Sequence, residues 1–180
     1  MERIAEFLIV PAGPGDAAAL AEVHVRSWRE TYPGLLPDHR LRRLSVPTHA
    51  IRFRRQLSLA RAGDVVLVAE GPDGLAAYCN GAAAVGGGSG GEAEIHTLYV
   101  LKFAQGRGLG RRLFTTTARV LRTQGSRSLR VWVLTNNARA RAFYAHIGGD
   151  PVAERPVGGW GDGLMETAYV WRDIDVFRNA

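Results

Sequence analysis

An α/β domain built on a mixed sheet is the fold class this sequence predicts, and three observations predict it. Apolar runs of strand length alternate with segments whose apolar residues fall on helical spacing. Turn residues separate these segments at short intervals, and neither a linker nor an internal repeat divides the chain. A hydrophobic content of 46% over 180 residues is enough for one sizeable core. The expected order is βααβββαβαββ in a single domain, residues 1–180.

Each element has its own signal. Phe7-Leu8-Ile9-Val10 is a short strand stopped by Pro11. Asp16 is the expected N-cap of a helix that carries Leu20, Val23, Trp28 and Tyr32 on helical spacing and ends at Pro33-Gly34. A helical turn from Asp38 to Leu44 precedes a second helix, from Thr48 as N-cap to Ala62, with Gly63 at C′. The period then changes: Val65–Ala69 and Leu75–Cys79 are strands joined by the hairpin signal Gly71-Pro72-Asp73-Gly74. The run Gly86–Gly91 reads as a flexible loop, followed by a strand from Ala93 to Leu101. A turn from Gln105 to Gly110 opens a helix with Leu109, Leu113, Val120 and Leu121 on one face, ended by Gly125. Leu129–Leu134 is the next strand. Asn137 starts a helix carrying Ala140, Phe143, Tyr144 and Ile147 that finishes at Gly148-Gly149. Strands near Pro151–Val157 and Met165–Trp171, separated by the turn Gly158–Gly163, complete the chain; Trp132, Trp160 and Trp171 are expected in strands or core.

Composition excludes several function classes. No apolar run approaches membrane-spanning length, and Met1–Glu6 lacks the basic and small-residue features of a signal peptide, so the expected place is the cytoplasm with no membrane partner. Cys79 is the one cysteine, which rules out an intramolecular disulfide, and its apolar neighbours mark it as core filling. His24, His39, His49 and His146 have no zinc-site spacing, so no metal is expected. The net charge of +6 is unevenly placed: Lys102 to Arg141 holds ten basic residues and no Asp or Glu, while 13 basic and 17 acidic residues elsewhere leave −4. Such segregation is a partner signal. The aromatic residues in the basic segment follow strand and helix faces rather than interleaving with its arginines, so no nucleic-acid partner is expected.

The basic segment surrounds the glycine-rich turn Gln105-Gly106-Arg107-Gly108-Leu109-Gly110-Arg111-Arg112. A P-loop would end in Gly-Lys-Ser/Thr, and a dinucleotide fingerprint starting at Gly106 would need glycine at position 111, where Arg stands. Neither fits. What remains is the general device: close glycines let backbone N–H groups converge on an anion at the positive end of a helix, and Arg107, Arg111 and Arg112 favour a pyrophosphate-bearing ligand.

The stretch Gln105-x-x-Gly108-x-Gly110 resembles the signature of the GCN5-related N-acetyltransferase (GNAT) family. Two further features match: Glu94, eleven residues earlier at the head of the preceding strand, and Asn137-x-x-Ala140-x-x-Phe143-Tyr144 followed by Gly148. Ser27 to Pro37 looks like bacterial members that act on small molecules. Gly149 departs from the family, where Phe often follows the helix-ending Gly.

The resemblance implies a GNAT-like fold with β4 and β5 splayed and acetyl-CoA as acyl donor. Its pyrophosphate would sit on Gly106 to Gly110 with Arg107, Arg111 or Arg112, and Gln105 belongs to the same site. Its pantetheine arm would lie near Leu98 and Val100, whose N–H could polarise the thioester. Asn137 either contacts the arm or only caps its helix. Glu94 is implied as general base and Tyr144 as general acid; a solvated carboxylate and a buried aromatic are the plain alternatives. Strand alternation makes Glu92 and His96 reserve bases. Trp28, Tyr32 and His96 are expected at the acceptor, with core packing an equal account of Trp28. The acceptor expected is a small-molecule amine. A protein N-terminus or lysine, and a non-catalytic acyl-CoA sensor, are the rival readings, and the family leaves a homodimer open.

Overall fold

The computed structural model describes residues 7–83, 91–158 and 163–178. Its elements are β1 (Leu8–Pro11), α1 (Ala17–Thr31), α2 (Asp38–Arg42), α3 (Val46–Ser58), β2 (Asp64–Gly71), β3 (Gly74–Ala82), β4 (Glu92–Val100), α4 (Leu109–Thr123), β5 (Ser128–Leu134), α5 (Ala138–His146), β6 (Asp150–Pro156) and β7 (Met165–Trp171). Most of the Gly86–Gly91 run, part of the Gly158–Gly163 turn and Trp160 lie outside the described residues. The strands form a mixed sheet in the order β1-β2-β3-β4-β5-β7-β6. β4 pairs with β5 in parallel, whereas β1–β2, β5–β7 and β6–β7 are antiparallel. The α/β class and the element order agree with the sequence reading, with the helical turn over Asp38 to Leu44 realised as α2.

Two helix boundaries differ, each for a local reason. Ser45, not Thr48, caps α3: it is extended, its hydroxyl accepts from the Thr48 N–H at 3.4 Å, and Pro47 fits the first turn, where its missing N–H costs nothing. The same helix stops at Ser58 rather than Ala62. There the Asp64 carboxylate accepts from the Arg61 N–H at 2.8 Å, which holds a separate turn that leads into β2. Asp16 stands at the N-cap of α1 as expected, although its carboxylate makes no cap bond and instead accepts from the Gly13 N–H at 2.8 Å.

The packing divides into two compact units, Met1–Asn80 with Thr97–Thr117, and Gly81–His96 with Ala118–Ala180. The division passes through β3, β4 and α4. In the first unit α1 buries Ala17, Leu20, Ala21 and Val23 in a cluster with Phe53, Val68, Tyr78 and Leu101. A fully buried side chain such as Leu20 contributes roughly 1.5–3 kcal/mol. In the second, β5 alternates, with Leu129, Val131 and Val133 buried and Arg130, Trp132 and Leu134 half-buried on the other side. On β7 the buried aromatics Tyr169 and Trp171 meet Tyr144 of α5, with ring centroids 5.9 and 6.2 Å away.

Trp171 also explains the departure at Gly149. A Cβ at position 149 would lie 2.7 and 2.9 Å from two indole carbons of Trp171 and 3.1 Å from the Tyr144 carbonyl. The indole cannot swing aside cheaply, because its N–H donates to the Ile147 carbonyl at 3.0 Å. Gly149→Ala should therefore destabilise the protein by about 1–3 kcal/mol, read as a lower urea midpoint with an unchanged m-value.

Candidate functional site

In the first unit the glycine-rich turn joins β4 to α4. Gly106 and Gly108 both have φ +74°, a conformation an L side chain adopts only with strain, and a Cβ at either would meet nothing within 4 Å. The turn is thus open and set by backbone geometry. The Gln105 side-chain amide donates to the Val100 carbonyl at 2.7 Å, which ties the turn to the end of β4, while its Oε1 is buried with no protein partner among the described residues. The first N–H groups of α4, including that of Gly110, have no acceptor inside the helix and carry the positive end of its dipole. Arg107 and Arg111 are exposed beside them. Arg112 is directed elsewhere and donates to the Phe7 carbonyl at 3.1 Å, so the expectation that it also meets a phosphate finds no support in its placement. The residues from Gln105 to Arg111 suit the pyrophosphate end of a CoA ester, with open backbone donors and flanking cations.

The same unit holds an aromatic cluster. Tyr32 and Tyr99 meet through their hydroxyls at 3.2 Å, Trp28 packs against Tyr32 and His24 with centroids 5.0 and 5.2 Å away, and His24 stacks on His49 at 4.6 Å. The His24 Nδ1 lies 2.7 Å from the Tyr78 hydroxyl. Burial first, then the nearby His49 and Arg52, push the His24 pKa down to about 4. Trp28 and Tyr32, expected at the acceptor, are half-buried members of this cluster; Leu98 and Val100 are half-buried on β4. Cys79 is buried, and burial pushes its thiol up to about 12, so it holds no thiolate at neutral pH.

The second unit presents a charged sheet face. The β4–β5 register runs from Glu92↔Ser128 to Ile95↔Val131, only four pairs of a nine-residue strand. β3 comes close enough at Gly81 that a Cβ there would lie 2.6 Å from the Glu94 carbonyl oxygen, so the missing side chain fixes where Glu94 stands. The Glu94 carboxylate accepts from His96 Nδ1 at 3.2 Å. That hydrogen bond first, with the charges of His96, Arg155 and Arg130 behind it, holds the carboxyl below its ordinary range although partial burial opposes the shift. Opposite Glu94 on β5 stands Arg130, paired with Glu92 at 2.8 Å. Two residues on, Trp132 lies beneath the Arg155 guanidinium, 3.7 Å from ring centroid to Cζ, and Arg155 Nε donates to Glu166 at 2.6 Å.

Arg130, Trp132, Arg155 and Glu166 are absent from the sequence-derived site. The alternation of β5 already places Arg130 and Trp132 on one side, but only the strand order, which inserts β7 between β5 and β6, connects them to Glu166 and Arg155. On α5, Asn137 is confirmed as a cap, its Oδ1 accepting from the Ala140 N–H at 3.1 Å. Tyr144 is 6% exposed among Phe143, Tyr169 and Trp171. Glu94, His96, Asn137 and Tyr144 thus belong to one unit, and Trp28, Tyr32, Val100 and the glycine turn to the other. Among the described residues no group of three or more His, Cys, Asp or Glu could hold a metal ion, and no helix is long and apolar enough to cross a membrane.

Comparison with known proteins adds a direct finding. The sequence profile of the acetyltransferase (GNAT) family matches residues 20–148. The uncharacterized N-acetyltransferase YuaI of Bacillus subtilis is 27% identical over 164 residues, 91% of each chain. The mycothiol acetyltransferase of Beutenbergia cavernae is 50% identical over 60 residues, 33% of this chain and only 20% of that longer protein. Among solved structures, the PaiA N-acetyltransferase of Thermoplasma acidophilum in complex with coenzyme A superposes with a TM-score of 0.71 at 18% identity, covering 92% of this chain and 98% of that one.

The His24 environment sets a pH dependence. Its folded pKa of about 4 lies below the unfolded value of 6.5, so between these values the unfolded state binds the proton more readily. Stability should fall by a few kcal/mol at most as pH drops through this window, and His24→Gln should flatten the dependence in urea titrations run at successive pH values.

Proposed function

The chain belongs to the acetyltransferase (GNAT) family, whose acyl donor is acetyl-CoA, and from that premise we propose that it acetylates the primary amine of a small molecule by direct attack. The observation that carries this reading is the four-pair β4–β5 ladder. The ladder ends at Ile95↔Val131 while β4 runs on to Val100 without a β5 partner, which supports a donor arm lying along Leu98 and Val100. Acetyl-CoA supplies an activated thioester. Gln105, Gly106, Arg107, Gly108, Gly110 and Arg111 are the residues proposed to hold its phosphates, Leu98, Val100 and Asn137 its arm, and Trp28, Tyr32 and His96 to flank the acceptor.

An alkyl ammonium with a pKa near 10.4 must lose a proton before it attacks. Glu94, a carboxylate at neutral pH whose ionised form the His96 hydrogen bond favours further, takes that proton. The amine nitrogen then forms a bond to the carbonyl carbon while the Val100 N–H stabilises the developing oxyanion. As the C–S bond breaks, Tyr144 delivers its phenolic proton to the departing sulfur, and the second proton lost by the nitrogen as the amide forms restores the phenol. The segregated charge supports the same assignment, because the cations nearest the turn sit where the donor's phosphates would bind.

Glu94→Gln should reduce turnover by about 10²–10⁴-fold, most at low pH where the amine is hardest to deprotonate, and Tyr144→Phe should reduce it with little change in acetyl-CoA affinity; thiol release and calorimetry measure the two. Unchanged rates in both variants remove these side chains from the chemistry. Gly108→Val, strained at φ +74°, should abolish the thermal stabilisation given by acetyl-CoA. Retained stabilisation would place the phosphate site elsewhere.

A further inference from the structure

We infer that the acceptor amine also carries a carboxylate, and that Arg155 is the residue that selects it. The inference rests on the acetyl-transfer reading above and concerns the acceptor alone. Its starting point is the sheet face shared by Glu94 of β4, Arg130 and Trp132 of β5, Glu166 of β7 and Arg155 of β6, which stand on neighbouring strands.

Two arginines occupy this face and they are used differently. Arg130 binds Glu92 at 2.8 Å, and its Nε is buried without a partner among the described residues, so it belongs to the framework of the sheet. Arg155 lies on top. Its guanidinium is pinned from below by the Trp132 ring at 3.7 Å and from the side by Glu166, which accepts from Nε at 2.6 Å. Its side chain is nevertheless 53% exposed, and no described residue bonds its two terminal Nη groups. An arginine held at Nε with both Nη groups facing outward is a planar fork already oriented for a carboxylate, so little side-chain entropy remains to be lost on binding.

The placement fits a small acceptor. Glu94 pairs in register with Arg130, and Trp132, the next residue on that side of β5, carries the Arg155 guanidinium at 3.7 Å, so the proposed base and the guanidinium stand over one sheet face. Glu94 and Arg155 bring opposite charges to this face, Glu94 beside His96 and Arg155 beside Glu166. An acceptor with positive charge alone would meet Glu94 together with an opposing guanidinium. One that also bears a carboxylate turns that opposition into a second contact, with its ammonium toward Glu94 and its carboxylate on the Arg155 Nη groups.

The test is a thiol-release assay with acetyl-CoA across the proteinogenic amino acids, β-alanine and 4-aminobutyrate, each beside its carboxamide, with spermidine and tyramine as amines lacking a carboxylate. The best acceptor should be an amino carboxylate, with kcat/KM about tenfold or more above its carboxamide, as expected for a charged hydrogen bond gained. Arg155→Gln should raise KM for that acceptor by about the same factor while kcat changes less than threefold, and should bring the carboxylate-to-carboxamide ratio near one. The wild-type ratio stands as a test even if the variant folds poorly. A preference for carboxamides, spermidine or tyramine overturns the inference and leaves acetyl transfer intact, as does a ratio that survives Arg155→Gln. Thermal stabilisation by acetyl-CoA with no thiol released by any amine defeats the proposed function itself, and this inference with it.

Discussion

A single hydrogen bond, from the Gln105 side-chain amide to the Val100 carbonyl, fastens the glycine turn to the end of β4. The left-handed glycines on either side of Arg107 would otherwise leave the start of α4 free to hinge, and an anion site made of backbone N–H groups is useful only if those groups are held in place. The bond reaches back from the turn to the last residue of β4, at 2.7 Å. The glutamine of the signature thus has a mechanical role beside the proposed donor site.

The basic segment has a less uniform purpose than its composition implies. Of its ten cations, five are spent on the protein itself: Arg112 on the Phe7 carbonyl, Arg119 on that of Phe177, Arg122 on Asp175, Arg130 on Glu92, and Arg141 on the Thr135 carbonyl and the Tyr169 hydroxyl. Arginine suits this use because its planar group satisfies carbonyls and carboxylates at element ends while remaining charged. Arg107 and Arg111, flanking the turn, account for the part that points to a polyanionic donor. Half of the surplus thus serves the architecture, and the exposed Arg107 and Arg111 are left to the proposed donor site, a division that charge counting cannot make.

Much of the fold was legible because it is written in local chemistry. The strand periods of β2 to β5, the cap at Asn137 and the glycine turn all depend on residues within a few positions of one another. The start of α3 was harder to read for the same reason: Ser45 and Thr48 can each cap, and the choice went to Ser45, two residues before Pro47. The site was only partly legible. Glu94 and His96 fall on one strand at a spacing of two, but Arg155 reaches Trp132 across an intervening strand, and no spacing along the chain encodes the insertion of β7 between β5 and β6. Strand order is a tertiary outcome, and side chains brought together by it become visible only once it is known.

Gly149 and Trp171 show how such tertiary outcomes constrain a lineage. The indole occupies the volume that a side chain at position 149 would need, and it is anchored there by the Ile147 carbonyl. The two positions share one allotment of space that can be filled from either side but not from both. A change from this arrangement to the family's commoner aromatic at position 149 would have to pass through a crowded or a hollow intermediate, so the two residues should change as a pair.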